Sequence, residues 1–72
     1  MPDDARPASD WVTAFASRLG IEPPSDEVMA TLLELAGVAA HASERTAAPI
    51  ACWLVGRAGL APADALPLAR GV

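Results

Sequence analysis

The chain has 72 residues, of which 53% are hydrophobic, and a formal net charge of −4 at pH 7. Nine acidic residues against five arginines and no lysine argue against binding to nucleic acid or to an anionic membrane. One cysteine excludes an intramolecular disulfide, and one histidine with one cysteine cannot complete a zinc site without carboxylates or a second copy of the chain. A chain this short must therefore be held by helix packing alone or by self-association.

We expect a single domain preceded by a short leader. Residues 1–8 contain two prolines and three charges, which predicts a flexible segment, and residues 9–72 form one helical domain. The acidic start is unlike a signal peptide, and no apolar stretch approaches the roughly 20 residues that span a bilayer. We therefore expect a cytoplasmic protein that does not bind membranes.

The first predicted helix covers residues 10–19. Ser9 or Asp10 is placed to cap its N-terminus, and Gly20 can end it in the left-handed conformation. Large apolar residues recur at every fourth position and form one stripe: Trp11, Phe15 and Leu19.

The second predicted helix is the longest and covers residues 26–44. Ser25 is a favourable N-cap, and the two acidic residues after it complement the positive end of the helix dipole. Gly37 costs about 1 kcal/mol relative to alanine in a helix interior, which predicts a close contact with another helix at that position.

The third helix is predicted over residues 49–58, with Pro49 at its first position, where a missing N–H group costs nothing. Thr46 is chemically the best candidate for its cap. The inner or boundary face of this helix is expected to carry Ile50, Trp53, Leu54 and Arg57.

A short fourth helix is predicted over residues 62–69, opened by Pro62. Pro67 removes a backbone hydrogen bond inside it, so we expect a kink or an early stop.

The chain has no strand-like alternation and no internal repeat. The sequence therefore predicts an all-α fold, a small bundle of three to four helices.

Three polar residues near the end of the second predicted helix form the candidate ligand site: His41, Glu44 and Arg45. They stand at positions i, i+3 and i+4, so a continuous helix would let them reach a common ligand. Histidine titrates near neutral pH and arginine binds anions, which predicts a small-ligand or anion site with Arg57 as a further cation. The structural alternative is that these side chains bind the unpaired carbonyl groups at the helix end.

Other chemistry-bearing residues are few. A single His-x-x-Glu pair supplies too few ligands for a metal within one copy, so we expect neither a metal nor a cofactor. Cys52 is expected in the first turn of the third helix, where its apolar neighbours favour a buried, inert thiol over a nucleophile. Trp11 and Trp53 are candidate interface residues, although their size favours places in the core. No phosphate-binding loop or nucleophile motif is present, so we expect no catalytic activity.

The same residues belong to a longer pattern that runs through Trp11, Phe15-Ala, Leu19-Gly20, Pro23-Pro24, Leu32-Leu33-Glu34-Leu35-Ala36, His41-x-x-Glu44-Arg45-x-x-Ala48-Pro49, Leu54 and Gly56. Over residues 10–60 this pattern resembles a small actinobacterial domain of unknown function. That domain occurs alone or appended to the C-terminus of molybdenum-cofactor guanylyltransferase-like proteins. The resemblance implies an accessory role in the assembly of molybdopterin guanine dinucleotide, with any site on His41, Glu44 and Arg45.

Three functional hypotheses follow from the sequence. The preferred one is a noncatalytic helical interaction module that binds a second copy of itself or an enzyme of cofactor biosynthesis. The alternative is a small-ligand or anion-binding domain that uses His41, Glu44 and Arg45. A redox or thiol-transfer role for Cys52 ranks third.

Overall fold

The computed structural model describes residues 7–72, and these form four α-helices and no strand, which confirms the all-α prediction. Residues 1–6, most of the predicted leader, lie outside the described residues. Among the described residues, no helix is both long enough and apolar enough to cross a bilayer. The helices are α1 (Ala8–Leu19), α2 (Asp26–Ala42), α3 (Ala47–Ala58) and α4 (Pro62–Arg70).

The first helix begins two residues earlier than predicted. Pro7 takes the N-cap position with φ −55° and ψ 148°, and no side chain caps the helix, so the predicted cap by Ser9 or Asp10 is wrong. The proline ring sets a backbone angle suited to a helix start, and the Pro7 carbonyl oxygen accepts from the N–H groups of Asp10 and Trp11 at 3.0 and 3.2 Å. At the other end Gly20 has φ 76°, which confirms the predicted left-handed stop.

The second helix begins as predicted and ends early. The Ser25 hydroxyl oxygen accepts a hydrogen bond from the N–H of Val28 at 3.1 Å, which confirms this cap. The helix ends at Ala42 because Ser43 leaves the helical region with φ −140° and ψ −104°. Neither a glycine nor a proline marks this break, which is why the predicted end at residue 44 was two residues too late.

The third helix begins at Ala47, two residues before the predicted start. Pro49 lies third in the helix, where an N–H group still has no partner within the helix. Thr46 is at the N-cap but makes no side-chain hydrogen bond, so its predicted capping role is wrong. The backbone carbonyls of Glu44 and Arg45 instead accept hydrogen bonds from the N–H groups of Ala47 and Ala48, at 2.9 and 3.1 Å.

The fourth helix runs through its internal proline. It begins at Pro62, as predicted, and continues past Pro67 to Arg70, one residue beyond the predicted end, so of the two expected effects of Pro67 the early stop does not occur. Only one backbone hydrogen bond is lost to the proline, and the five residues of the helix that precede it already form a turn.

The core is small and centres on α2, which packs against both α3 and α4. The buried hydrophobic residues among those described are Ala16, Leu35 and Ala65. Leu35 is 1% exposed and is the one large side chain among the three. By contrast, α1 makes no extensive contact with any other helix.

The largest side chains lie outside this core. Trp11 is 55% exposed and Trp53 is 63% exposed, so the expectation that the tryptophans build the core is wrong. In α3 the inner side carries Ala51, Cys52 and Val55, whereas Ile50, Trp53 and Leu54 are exposed. The inner position predicted for these residues is therefore wrong: Trp53 is on the outer face, and Ile50 and Leu54 are at the boundary, because small residues allow α3 to lie close against α2.

Candidate functional site

The predicted polar cluster is located at the corner between α2 and α3. His41, Glu44 and Arg45 are all exposed, and only His41 still belongs to a helix. Because α2 ends at Ala42, the helical spacing that would bring the three side chains together does not continue. Within residues 7–72, no side-chain hydrogen bond or ion pair joins them. Their role in ligand binding stays a prediction.

An apolar groove lies beside this corner and has a volume of about 560 Å³. It runs between the C-terminal half of α2, the part of α3 from Ala47 to Leu54, and the end of α4. Its lining consists of Val38, Ala39, Ala42, Ser43, Glu44, Thr46, Ala47, Ile50, Ala51, Leu54, Ala69 and Val72. Glu44 is the one charged member of this lining.

The sequence of the two helices explains the shape of the apolar groove. Small residues line it where α2 and α3 meet, including Ala39 on α2 with Ala47 and Ala51 on α3. Larger side chains, Ile50 and Leu54, stand about one turn apart on α3 and are 60% and 55% exposed. The result is a concave apolar surface of the size that small ligands and single helices occupy in proteins.

Sequence reasoning missed the apolar groove. The alanines of α3 recur at the helical spacing of four residues, and that spacing predicts a face of close helix packing. Part of this face does pack on α2. The end of α4 lies beside the remainder without covering it, so that part stays open as the groove. The sequence carries no local pattern that distinguishes a covered alanine from one that lines a groove.

A second exposed apolar surface lies on α1, and we call it the aromatic stripe: Trp11, Phe15 and Leu19. The ring centroids of Trp11 and Phe15 are 5.1 Å apart with an interplanar angle of 34°, so the two rings contact each other. Arg18 lies beside them and lines a shallow hollow of about 350 Å³ with both rings. The stripe exists as predicted, but it faces solvent where the sequence favoured burial.

The single cysteine occupies a different place from the predicted one. Because α3 begins at Ala47, Cys52 lies in the second turn of the helix and not in the first. It is a free thiol of intermediate exposure on the side of α3 that faces α2. The helix N-terminus, which favours thiolates, is therefore more distant than the sequence suggested.

One long-range polar contact joins the helices. A guanidinium nitrogen of Arg70, at the end of α4, donates to a carboxylate oxygen of Glu34 on α2. Both side chains are more than half exposed, and such surface pairs contribute about 1 kcal/mol or less. Sequence analysis did not find this pair, since its members are 36 residues apart.

Within residues 7–72, no three His, Cys, Asp or Glu side chains converge as a metal site would require.

Comparison with models of protein families identifies a family for this chain. A family model described as a domain of unknown function (DUF6457) matches residues 3–70. The matched range includes the whole of α4, which lies beyond the residues 10–60 of the sequence resemblance. Searches of the curated proteins and of the solved structures found no match.

Proposed function

We propose that this chain, which belongs to the DUF6457 family, is a noncatalytic interaction module that binds another protein through its exposed apolar surface. The observation that supports the proposal is the distribution of its apolar residues. In residues 7–72, three hydrophobic residues are buried, whereas eleven large ones are exposed. A monomer with this distribution presents to water the side chains from which protein interfaces are built.

The exposed residues are not scattered singly, which would need no explanation. The aromatic stripe groups three of them on one helix, and the apolar groove collects Ile50, Leu54 and Val72. Trp53 adds an exposed indole on the outer face of α3. Tryptophan contributes more binding energy at interfaces than most residues, so Trp53 is the best single anchor for a partner.

The context that we propose is the assembly of molybdopterin guanine dinucleotide, with a molybdenum-cofactor guanylyltransferase-like protein as the partner. The support for this context is the sequence resemblance, in which the segment from His41 to Pro49 is the most specific part. In this role the domain contributes binding and no chemistry of its own.

Isothermal titration of the full chain against a purified guanylyltransferase-like protein tests the proposal. We expect a measurable complex, and we expect Trp53→Ala to weaken it by at least about tenfold, as loss of a central anchor does. Leu33→Ala is the matched control, because Leu33 is as exposed as Trp53 but lies on α2 and not on the outer face of α3. No heat of binding for the unmodified chain at about 100 μM protein would contradict the proposed partner.

The alternative function is binding of a small ligand or anion by His41, Glu44 and Arg45. It is supported by the exposure of all three side chains, which leaves them accessible to a ligand. Titration with guanine nucleotides, pterins and molybdate distinguishes it from the interaction module. Binding of one of these that His41→Ala abolishes would favour the ligand site, and no binding of any would reject it.

A further inference from the structure

We infer that the apolar groove binds the aromatic stripe of a second copy of this chain. In the resulting symmetric dimer, the α1 helix of each copy lies in the apolar groove of the other. This inference rests on the proposed function, since it names one partner of the interaction module. Helix binding in an apolar groove through residues spaced by three or four is a common mode of recognition. Here the chain carries both halves of such a contact.

The two surfaces agree in length. The aromatic stripe extends from Trp11 to Leu19, which is about 12 Å along a helix. The part of α3 that lines the apolar groove extends from Ala47 to Leu54, which is about 10 Å. An α1 helix that lies along α3 can therefore place most of the aromatic stripe over the groove.

The charges are also complementary and indicate one direction for the bound helix. Arg18 is the charged residue beside the rings of the aromatic stripe, and Glu44 is the charged residue of the apolar groove. Pairing them places the C-terminal end of α1 next to the N-terminal end of α3 in the other copy. The partial charges of these two helix ends are opposite, so this antiparallel direction is favourable.

The area is close to what a stable dimer needs. With two-fold symmetry each copy contributes both its aromatic stripe and its apolar groove. Six large side chains of each copy then lose solvent contact: Trp11, Phe15, Leu19, Ile50, Leu54 and Val72. At roughly 100 Å² for each partly exposed side chain, they supply about 600 Å² of the roughly 800 Å² that each partner buries in a standard interface.

The weak attachment of α1 to its own chain supports binding of this helix to a second copy. Ala16 of α1 is buried, but α1 has no helix partner comparable to those of α2, so binding another copy breaks little packing between helices. Within one chain the surface of the aromatic stripe remains exposed. A second copy provides the missing cover without an additional protein.

Sedimentation velocity of the full chain, from about 1 μM to about 1 mM, tests the inference. We expect a dimer whose dissociation constant rises at least about tenfold in Arg18→Glu and in Glu44→Arg, because each creates a like-charge pair. The double variant restores the opposite charges and should return to within about threefold of the unmodified chain. Glu27→Arg is the matched control for Glu44→Arg and should leave the dimer unchanged, since Glu27 is in the first turn of α2 and the apolar groove lies on the C-terminal half of that helix.

Circular dichroism of each variant verifies that the helices remain folded. A chain that is monomeric throughout this range overturns the inference, as does a dimer that neither charge reversal weakens. If such a monomer still binds a guanylyltransferase-like protein, the proposed function survives and the inference alone fails. If a dimer forms as described but no enzyme binds, the assignment of the partner enzyme fails instead.

Discussion

Leu35 has a role in this core that no other large residue shares. It is 1% exposed and is accompanied in the buried core by two alanines, which bury little area each. In a domain of this size, the loss of one large buried side chain removes a considerable part of the hydrophobic stabilisation.

We therefore predict that Leu35→Ala lowers the free energy of unfolding by about 2–5 kcal/mol, which is enough to leave much of the protein unfolded. Leu33→Ala makes the same chemical change at a side chain that is 69% exposed. It should change the free energy of unfolding by less than about 0.5 kcal/mol. Urea unfolding monitored by circular dichroism measures both. Equal effects of the two substitutions would contradict the assigned core.

The same pair of leucines shows what sequence reasoning cannot decide at the residue scale. Both are leucines of the second predicted helix, and they are only two positions apart. Helical periodicity identifies a wide apolar surface but does not say which part of it another helix covers. That choice depends on how α3 and α4 pack, which no local pattern contains.

At the scale of single elements, the helix ends at Gly20 and Ser25 were predicted correctly because one residue determines each of them. The end of α2 and the start of α3 were not, because backbone carbonyls cap this corner and any residue can supply a carbonyl. The predicted site of His41, Glu44 and Arg45 depended on a continuous helix through that corner. Because α2 ends at Ala42, the three side chains do not have the helical spacing that the prediction assumed.

Gly37 provides a test of helix α2 as an element. A close helix contact was predicted there, but a Cβ atom added at Gly37 meets nothing within 4 Å, so that prediction is wrong. The glycine brings only its flexibility to a helix interior, and alanine has the higher helix propensity.

We predict that Gly37→Ala raises the free energy of unfolding by about 1 kcal/mol. Gly20→Ala is the contrasting control: Gly20 has φ 76°, where a side chain is strained, so stability should fall by about 1 kcal/mol. Thermal unfolding of the two variants beside the unmodified chain measures both shifts. A loss of stability in Gly37→Ala would mean that this part of α2 has a neighbour, contrary to the described packing.

At the scale of the whole molecule, its surface is more distinctive than its core. The net charge of −4 favours solubility, while the aromatic stripe and the apolar groove expose residues that usually lie in interfaces. Composition had already indicated that a chain this short needs helix packing or self-association. The location of the two surfaces came only from the three-dimensional arrangement, because it depends on which helix faces remain uncovered.

Tryptophan fluorescence reports most directly whether the aromatic stripe becomes covered. In Trp53→Phe the one remaining tryptophan is Trp11, whose indole is 55% exposed in the single chain. As protein concentration rises from about 1 μM to about 1 mM, its emission should move to shorter wavelength and acrylamide should quench it less, because the ring enters an apolar groove. In the matched Trp11→Phe variant, Trp53 should change less, since it does not line the groove. Emission from Trp11 that stays constant and fully quenchable over this range would contradict self-association through the aromatic stripe.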